Sequence, residues 1–401
     1  MPLRTKNAAV LAVIESQEGV FQAPSASTDA ILVEAPDVDL QPQNVETNEV
    51  TGSLDGRGPI PGGIQVPFNF TVYLKGPGTP GVEPEWADLM RACAWAVDVT
   101  NTSITAATIA FNATGDHITD SGSGFGPLTV GTAIHVSGAP DAQNNGEFIV
   151  TVSAAGDIQV TKPDGSAAGF VTAAAGPSIT IRRGIAAVAA TAGTTTSFTA
   201  QSPWAGTLQI YRGMPVLLSG NPATPAFAFI SDYTAVRLAT LADLFGSALS
   251  AATKASIPAN VRFTPASASI PSLSMEYYMD GLRYRLNGVR GRVSFQFDAA
   301  GACKASFAMR GLFESKTDAA VPATVYDGTR PPTFRNSRFL IQRIQAALRT
   351  LSIDAAAEPV YPSNPNASEG FDAPLHVSRN LTGRMDPYAR LVATQDLTGA
   401  F

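Results

Sequence analysis

The sequence predicts a mostly β fold with a short helix and small all-β modules inserted into it. Three observations predict it. They are an alternating strand followed by a glycine hinge and a helical stripe at 64–96, an alternating meander at 273–313, and an internal echo between 131–140 and 213–222. At 401 residues the chain exceeds one ordinary domain, and its 45% apolar residues suffice for sizeable cores. Charged residues make up only 15%, against about 25% in typical soluble domains, which points to surface hidden against partners. The 35 glycines and 29 prolines suit many short strands joined by turns. A net charge of −6 without a dense basic run argues against tight binding of nucleic acid by charge.

The first residues, MPLRTKNAAVLAVIESQ, faintly resemble a secretory signal. The apolar run is short, however, and Glu15, Gln17 and Glu18 stand where a small-residue cleavage site belongs. No stretch approaches the roughly 18 apolar residues of a spanning helix, so a soluble, cytoplasmically made protein is expected. Short strands are expected near 9–14, 30–34, 38–40 and 45–52. The sequence GSLDGRGPIPGG at 52–63 is a long glycine- and proline-rich excursion, which as a hairpin tip would project clear of its sheet.

Ile64, Val66, Phe68, Phe70, Val72 and Leu74 alternate with Gln65, Pro67, Asn69, Thr71, Tyr73 and Lys75, the period-two pattern of a strand with one buried face. Pro67 lacks a ladder donor, which predicts an edge or a bulge there. GPGTPG at 76–81 breaks the pattern. Trp86, Leu89, Met90, Cys93 and Ala94 then fall on one helical stripe, with Pro84 suited to the first turn.

From about 100 to 268, Ala, Thr, Gly and Ser dominate. GTAIHVSGAP at 131–140 matches GMPVLLSGNP at 213–222 in register, 82 residues apart. Strands are expected after each, at 148–152 and 227–230, then at 158–160 and 236–238. The pattern suggests two tandem all-β modules, with 238–254 read as a helical insertion in the second. In the meander, Asp280-Gly281 and Asn287-Gly288 read as hairpin turns, which predicts four antiparallel strands. Beyond a proline-marked linker, 339–353 has local helical periodicity, and 375–379 and 388–393 read as strands.

Signals for chemistry are weak. His117, His135 and His376 have no partner at metal-ligand spacing, and no nucleophile elbow, Walker loop or dinucleotide fingerprint occurs. GPGTPG lacks the Lys-Ser/Thr ending of a phosphate loop. Asp280, Asp298, Asp354 and Asp372 are read as turn formers rather than a hydrolytic pair. Cys93 and Cys303 are read as small buried hydrophobes, with a disulfide as the lesser alternative. No enzyme activity and no cofactor are expected. Arg283, Arg285, Arg290 and Arg292 alternate with apolar residues and are expected on one outward face, read as a subunit interface before a phosphate-binding or merely solvated face.

Two of these segments resemble the tail tube (major tail) proteins of long-tailed, non-contractile bacteriophages. Gly76, Gly78, Thr79, Gly81, Pro84, Trp86, Leu89, Arg91, Ala92 and Cys93 match that family's glycine turn and short helix. Tyr277, Asp280, Gly281, Arg283, Leu286, Gly288, Arg290, Gly291, Val293 and Phe295 match its second motif.

The resemblance implies a tail-tube β-sandwich or barrel built from 1–98 and 269–401, the latter a completion or a second tube-like domain. Inserted modules would occupy 99–184 and 185–268. It implies β structure at 339–353 against the local helical pattern. It also implies a structural virion protein whose copies close into stacked rings of three or six chains, with tape measure, terminator and distal tail proteins as partners. DNA passes the lumen without specific binding, and no membrane is involved. Ser53, Leu54, Asp55, Gly56, Arg57, Pro59, Ile60 and Pro61 would form the inter-ring contact loop. A β-rich adhesin is the alternative.

Overall fold

The computed structural model describes residues 6–46, 58–221 and 225–388. Strands hold 48% of the chain and helix 2%, so the fold is mostly β. The first segment supplies β1 (Ala8–Ile14), β2 (Ala30–Ile31), β3 (Glu34–Val38), β4 (Gln41–Val45) and β5 (Ile60–Tyr73), then α1 (Ala87–Ala92) and β6 (Trp95–Thr100). Next come β7 (Thr102–Ala106), β8 (Ile109–Asn112), β9 (His117–Asp120), β10 (Ala133–Ser137), β11 (Gly146–Ala154), β12 (Asp157–Thr161) and β13 (Ile179–Arg183). They are followed by β14 (Ile185–Ala189), β15 (Ala192–Gly193), β16 (Ser197–Thr199), β17 (Pro215–Ser219), β18 (Ala226–Tyr233), β19 (Leu238–Leu241) and β20 (Lys254–Ile257). The chain returns through β21 (Asn260–Pro265) to β22 (Leu273–Met279), β23 (Leu282–Asp298) and β24 (Lys304–Asp318). It ends in β25 (Leu340–Ile341), β26 (Ile344–Gln345), β27 (Leu348–Asp354), β28 (Pro359–Val360), β29 (Leu375–His376) and β30 (Thr382–Pro387).

A ten-stranded sheet forms the body, with β2-β1-β22-β23-β24-β5-β3 along its path, β4 on β5, and β27 joining β23 to β30. Its inner face is the predicted apolar one: Val66, Phe68, Phe70 and Val72 of β5 pack with Ala305, Phe307 and Met309 of β24 over Leu89, Met90 and Cys93 of the helix segment. Residues 339–353 are β structure, as the resemblance implies, because 340–345 forms a small hairpin and β27 pairs with β23.

The two small sheets have the same topology. In chain order their strands lie 1-7-4-5-6-3-2, as β7-β13-β10-β11-β12-β9-β8 and as β14-β20-β17-β18-β19-β16-β15. The correspondence extends to single hydrogen bonds. Gly131 N donates to Val150 O and Val150 N to Thr132 O, while Gly213 N donates to Ile230 O and Ile230 N to Met214 O. A bulge follows Val150 in one sheet and Ile230 in the other. Each sheet curls round its own apolar core.

Several expectations need correction. Asn287-Gly288 is no hairpin turn: β23 runs straight through it, with register shifts against β24 on either side, so the meander has three strands, not four. Gly288 has φ +59°, and a Cβ there would stand 2.6 Å from the Cβ of Ala373. Packing against the C-terminal segment selects a bulge where the dipeptide alone suggests a turn.

The stretch 238–254 is not helical. Its start is β19, held between β16 and β18, and Phe245 N and Leu249 N donate to Thr195 O and Thr194 O, fixing an irregular path that buries Leu249.

Pro67 marks neither an edge nor a bulge of its own strand, since β24 pairs beside it. Its carbonyl accepts from Asp39 N in the gap between β3 and β4, so its missing N–H faces that break. The expected early strand at 30–34 is shortened to β2 and that at 38–40 is displaced to β3, while that at 45–52 meets β4 only at Val45, and 47–52 lie outside the described residues. At the C-terminus the strands are β29 and β30; 389–393 lie outside the described residues. Cys93 is buried, Cys303 only half-buried, and both are free thiols.

Candidate assembly surfaces

The hinge and helix are structural. Trp86 caps α1 without a side-chain bond, donates Nε1–H to Lys75 O at 3.0 Å and stacks on Phe263 of β21 at 4.9 Å. Pro84 is buried, and Leu89 is wholly buried in the body core. Gly76 is exposed, Gly78 lies beside Thr329, and Gly81 packs on Asn101 and Ala259, which flank the β6–β21 ribbon. Asn101 Nδ2 donates to Gly81 O at 3.2 Å. The hinge is therefore the seat from which the two small sheets leave the body. A cavity of about 530 Å³ lies there, lined by the hinge, Phe263, His135 and Glu147.

Asp280 and Gly281, with φ +45° and +106°, form the two-residue turn between β22 and β23. Asp280 N donates to Asn7 O, and Asn7 Nδ2 to Asp280 Oδ1, both at 2.8 Å.

The four arginines do not share one outward face. Arg285 donates to Glu276 at 2.8 Å, and Arg283 lies 3.8 Å from the same carboxylate, itself 3% exposed. Arg290 is turned in: it donates to Glu18 at 2.7 Å and to the carbonyls of Pro374 and Ile270 at 2.8 and 2.9 Å. Its charge holds the Glu18 carboxyl below the usual range, chiefly through that hydrogen bond. Only Arg292 stands well out, loosely paired with Glu358 at 3.8 Å. Burial beneath the segments of Glu18, Ile270 and Pro374, rather than strand alternation, takes Arg290 off the outward face.

The outer face of the body sheet is polar and mostly uncharged. Asn69 and Thr71 of β5, Ser306 and Ala308 of β24, Ser294 and Gln296 of β23 and Ser352 of β27 lie side by side across the ladder. Charges at its margin are paired within the chain, Lys304 with Glu34 at 2.8 Å and Arg310 with Glu358 at 2.7 Å. Grooves of about 300 and 280 Å³ cross this face on either side of Arg292. Lys75, expected here, is instead buried, with Nζ donating to Asp327 O at 2.6 Å and 3.5 Å from Glu85. Burial raises the Glu85 carboxyl despite that lysine. Arg310 and Glu358 escape sequence reading because their pairing joins distant segments.

Ser53, Leu54, Asp55, Gly56 and Arg57 lie outside the described residues. Pro59 is exposed, and Ile60 and Pro61 open β5 opposite Val45 and Asn44 of β4. All five residues of β4 are exposed, and Val45 and Ile60 are each 55% exposed. The foot of this excursion is thus a two-stranded arm that continues the sheet away from its core.

His117 lies 2.7 Å from Asp157, His135 2.8 Å from Glu147, and His376 2.8 Å from Gly291 O. Among the described residues no three His, Cys, Asp or Glu side chains cluster to hold a metal ion, and no helix is long and apolar enough to cross a membrane. No known protein-family model matches the chain, and no curated protein sequence matches it.

Proposed function

We propose that the chain is a structural subunit of a bacteriophage tail tube, whose copies close into rings that stack into the conduit for DNA. One observation carries this reading: β30-β27-β23-β24-β5-β4 is a sheet with an apolar inner face, a polar and mostly uncharged outer face and, among the described residues, a largely exposed strand at each side. Unpaired strand edges invite pairing with another chain, and closure of copies edge to edge removes them. The polar face then lines the lumen. A wall mainly of Ser, Thr, Asn and Gln, with Lys304 and Arg310 paired to carboxylates and Arg292 and Arg384 its few exposed cations, offers phosphates little counter-charge, so DNA slides without being held. The β4–β5 arm reaches the next ring and sets stacking. Arg292, the most exposed of the four arginines, serves as an interface residue with Arg283 and Arg285.

Electron microscopy of the purified chain tests the reading. Stacked rings or tubes are expected, and class averages along the axis give three or six chains per ring. Dispersed monomers at high concentration would overturn it.

A further inference from the structure

We propose that the outer face of β17 and β18, around Phe227 and Phe229, docks a second copy of this chain. The argument starts from the contact between the two small sheets. Ala133 and Ile149 pair across β10 and β11 and form a seat filled by Leu217 of the second sheet. Hydrogen bonds fix the contact: Ser256 Oγ donates to Gly131 O at 3.1 Å, Thr129 Oγ1 to Ala187 O at 2.8 Å, and Ala187 N to Thr132 Oγ1 at 3.0 Å.

The second sheet carries the same seat, because Pro215 and Phe229 pair across β17 and β18 as Ala133 and Ile149 do in the first. There no described residue fills the seat. Ile149 is 3% exposed, whereas Phe229 is 58% and its neighbour Phe227 49% exposed. The open patch is continuous with the covered one, since Phe227 pairs across the ladder with Leu217, which is fully buried.

The occupied contact joins two different patches, seat and plug. Such a contact repeats head to tail, and in identical chains it closes a ring where its rotation closes and builds an open filament where it does not. An apolar plug is available on the same chain: Leu208 and Val236, 63% and 75% exposed, stand on loops that meet where Gly206 packs on Ala235. Nothing charged flanks Phe227 and Phe229 on their own strand until Asp232, so a second copy's apolar loops fit this face better than a charged ligand does.

The test is sedimentation velocity of the full chain and of Phe227→Ser/Phe229→Ser across a concentration series, with circular dichroism as the folding control. Self-association is expected to weaken at least about tenfold, the effect of losing one well-packed aromatic anchor. Unchanged association of the folded double variant would overturn the proposal, as would a wild-type chain that stays monomeric throughout. If the variant fails to fold, a photo-reactive benzoylphenylalanine at 229 replaces it. Cross-links to a second copy are expected, and intramolecular or absent cross-links would overturn the proposal. This outcome is separable from the tube reading: rings in both proteins with equal association remove the docking face and leave the tube, whereas variant-sensitive dimers without rings do the reverse.

Discussion

Arg290 and His376 show how the C-terminal segment is tied to the bulge in β23. Arg290 spans Glu18, Ile270 and Pro374, three segments far apart in sequence. His376, on β29, donates Nε2–H to Gly291 O at 2.8 Å, which leaves Nδ1 buried without a partner. Burial first, then the charges of Arg290 and Arg379, push the imidazole below its ordinary value. The native state therefore holds this ring neutral, while the unfolded chain takes up a proton near pH 6.5. Protons bound in excess by the unfolded state cost native stability, so this contribution is complete above the ordinary histidine value and lost as pH falls through the depressed one. His376→Gln keeps an N–H donor and cannot titrate. Thermal melts at stepped pH are expected to show the wild type losing more stability than this variant as pH drops below about 6.5; parallel losses would refute the assignment.

The bulge at Asn287-Gly288 decides the shape of β23, because it lets one strand of 17 residues pair β22 with its first half and β27 with its second. Gly288→Ala places a Cβ against Ala373 and forces a left-handed φ on alanine. A cost of about 2–5 kcal/mol is expected, the sum of the backbone strain and the overpacking, measured by urea unfolding. Ala373→Gly in the same chain should recover the packing part, and a neutral Gly288→Ala would show that the bulge relaxes freely. The same element marks the limit of sequence reading. The β5 strand was legible because one of its faces is wholly apolar and the other polar. Asn-Gly is ambiguous in sequence because its backbone preference serves a turn and a bulge alike, and distant partners decide between them: Glu15 accepts from Gly288 N, Gly19 O accepts from Asn287, and Ala373 packs on Gly288. The stretch 238–254 failed for a similar reason: its helical spacing is local, whereas the bonds to Thr194 and Thr195 come from across the sheet. Phe227 and Phe229 were invisible as surface, since Ala228 and Ile230 make the strand apolar on both faces.

At the scale of the molecule, the three cores are closed off from one another. The body core draws only on residues before 96 and after 262, and the small sheets bury their own clusters between 104 and 257. The connection is the β6–β21 ribbon, whose outermost pair is Thr100 opposite Asn260. Those two residues already stand at the separation of a hairpin end, so an Asn-Gly turn can join them in place of 101–259. The shortened chain gives up the bonds from Arg343 to Leu241 O, from Asn101 to Gly81 O, from Arg262 to Ile210 O and Arg212 O, from Thr100 to Met214 Sδ and from Asn260 to Pro258 O, plus the pairing of Arg338 with Asp243, but no side chain of the body core. Circular dichroism is expected to show a folded, cooperatively melting β protein. If the tube is built by the body sheet, electron microscopy of this chain will show tubes of unchanged lumen and smaller outer width. An aggregated product would mean that the small sheets are part of the folding unit. A folded product that never forms tubes, beside a wild type that does, would place the assembly contacts on the small sheets instead.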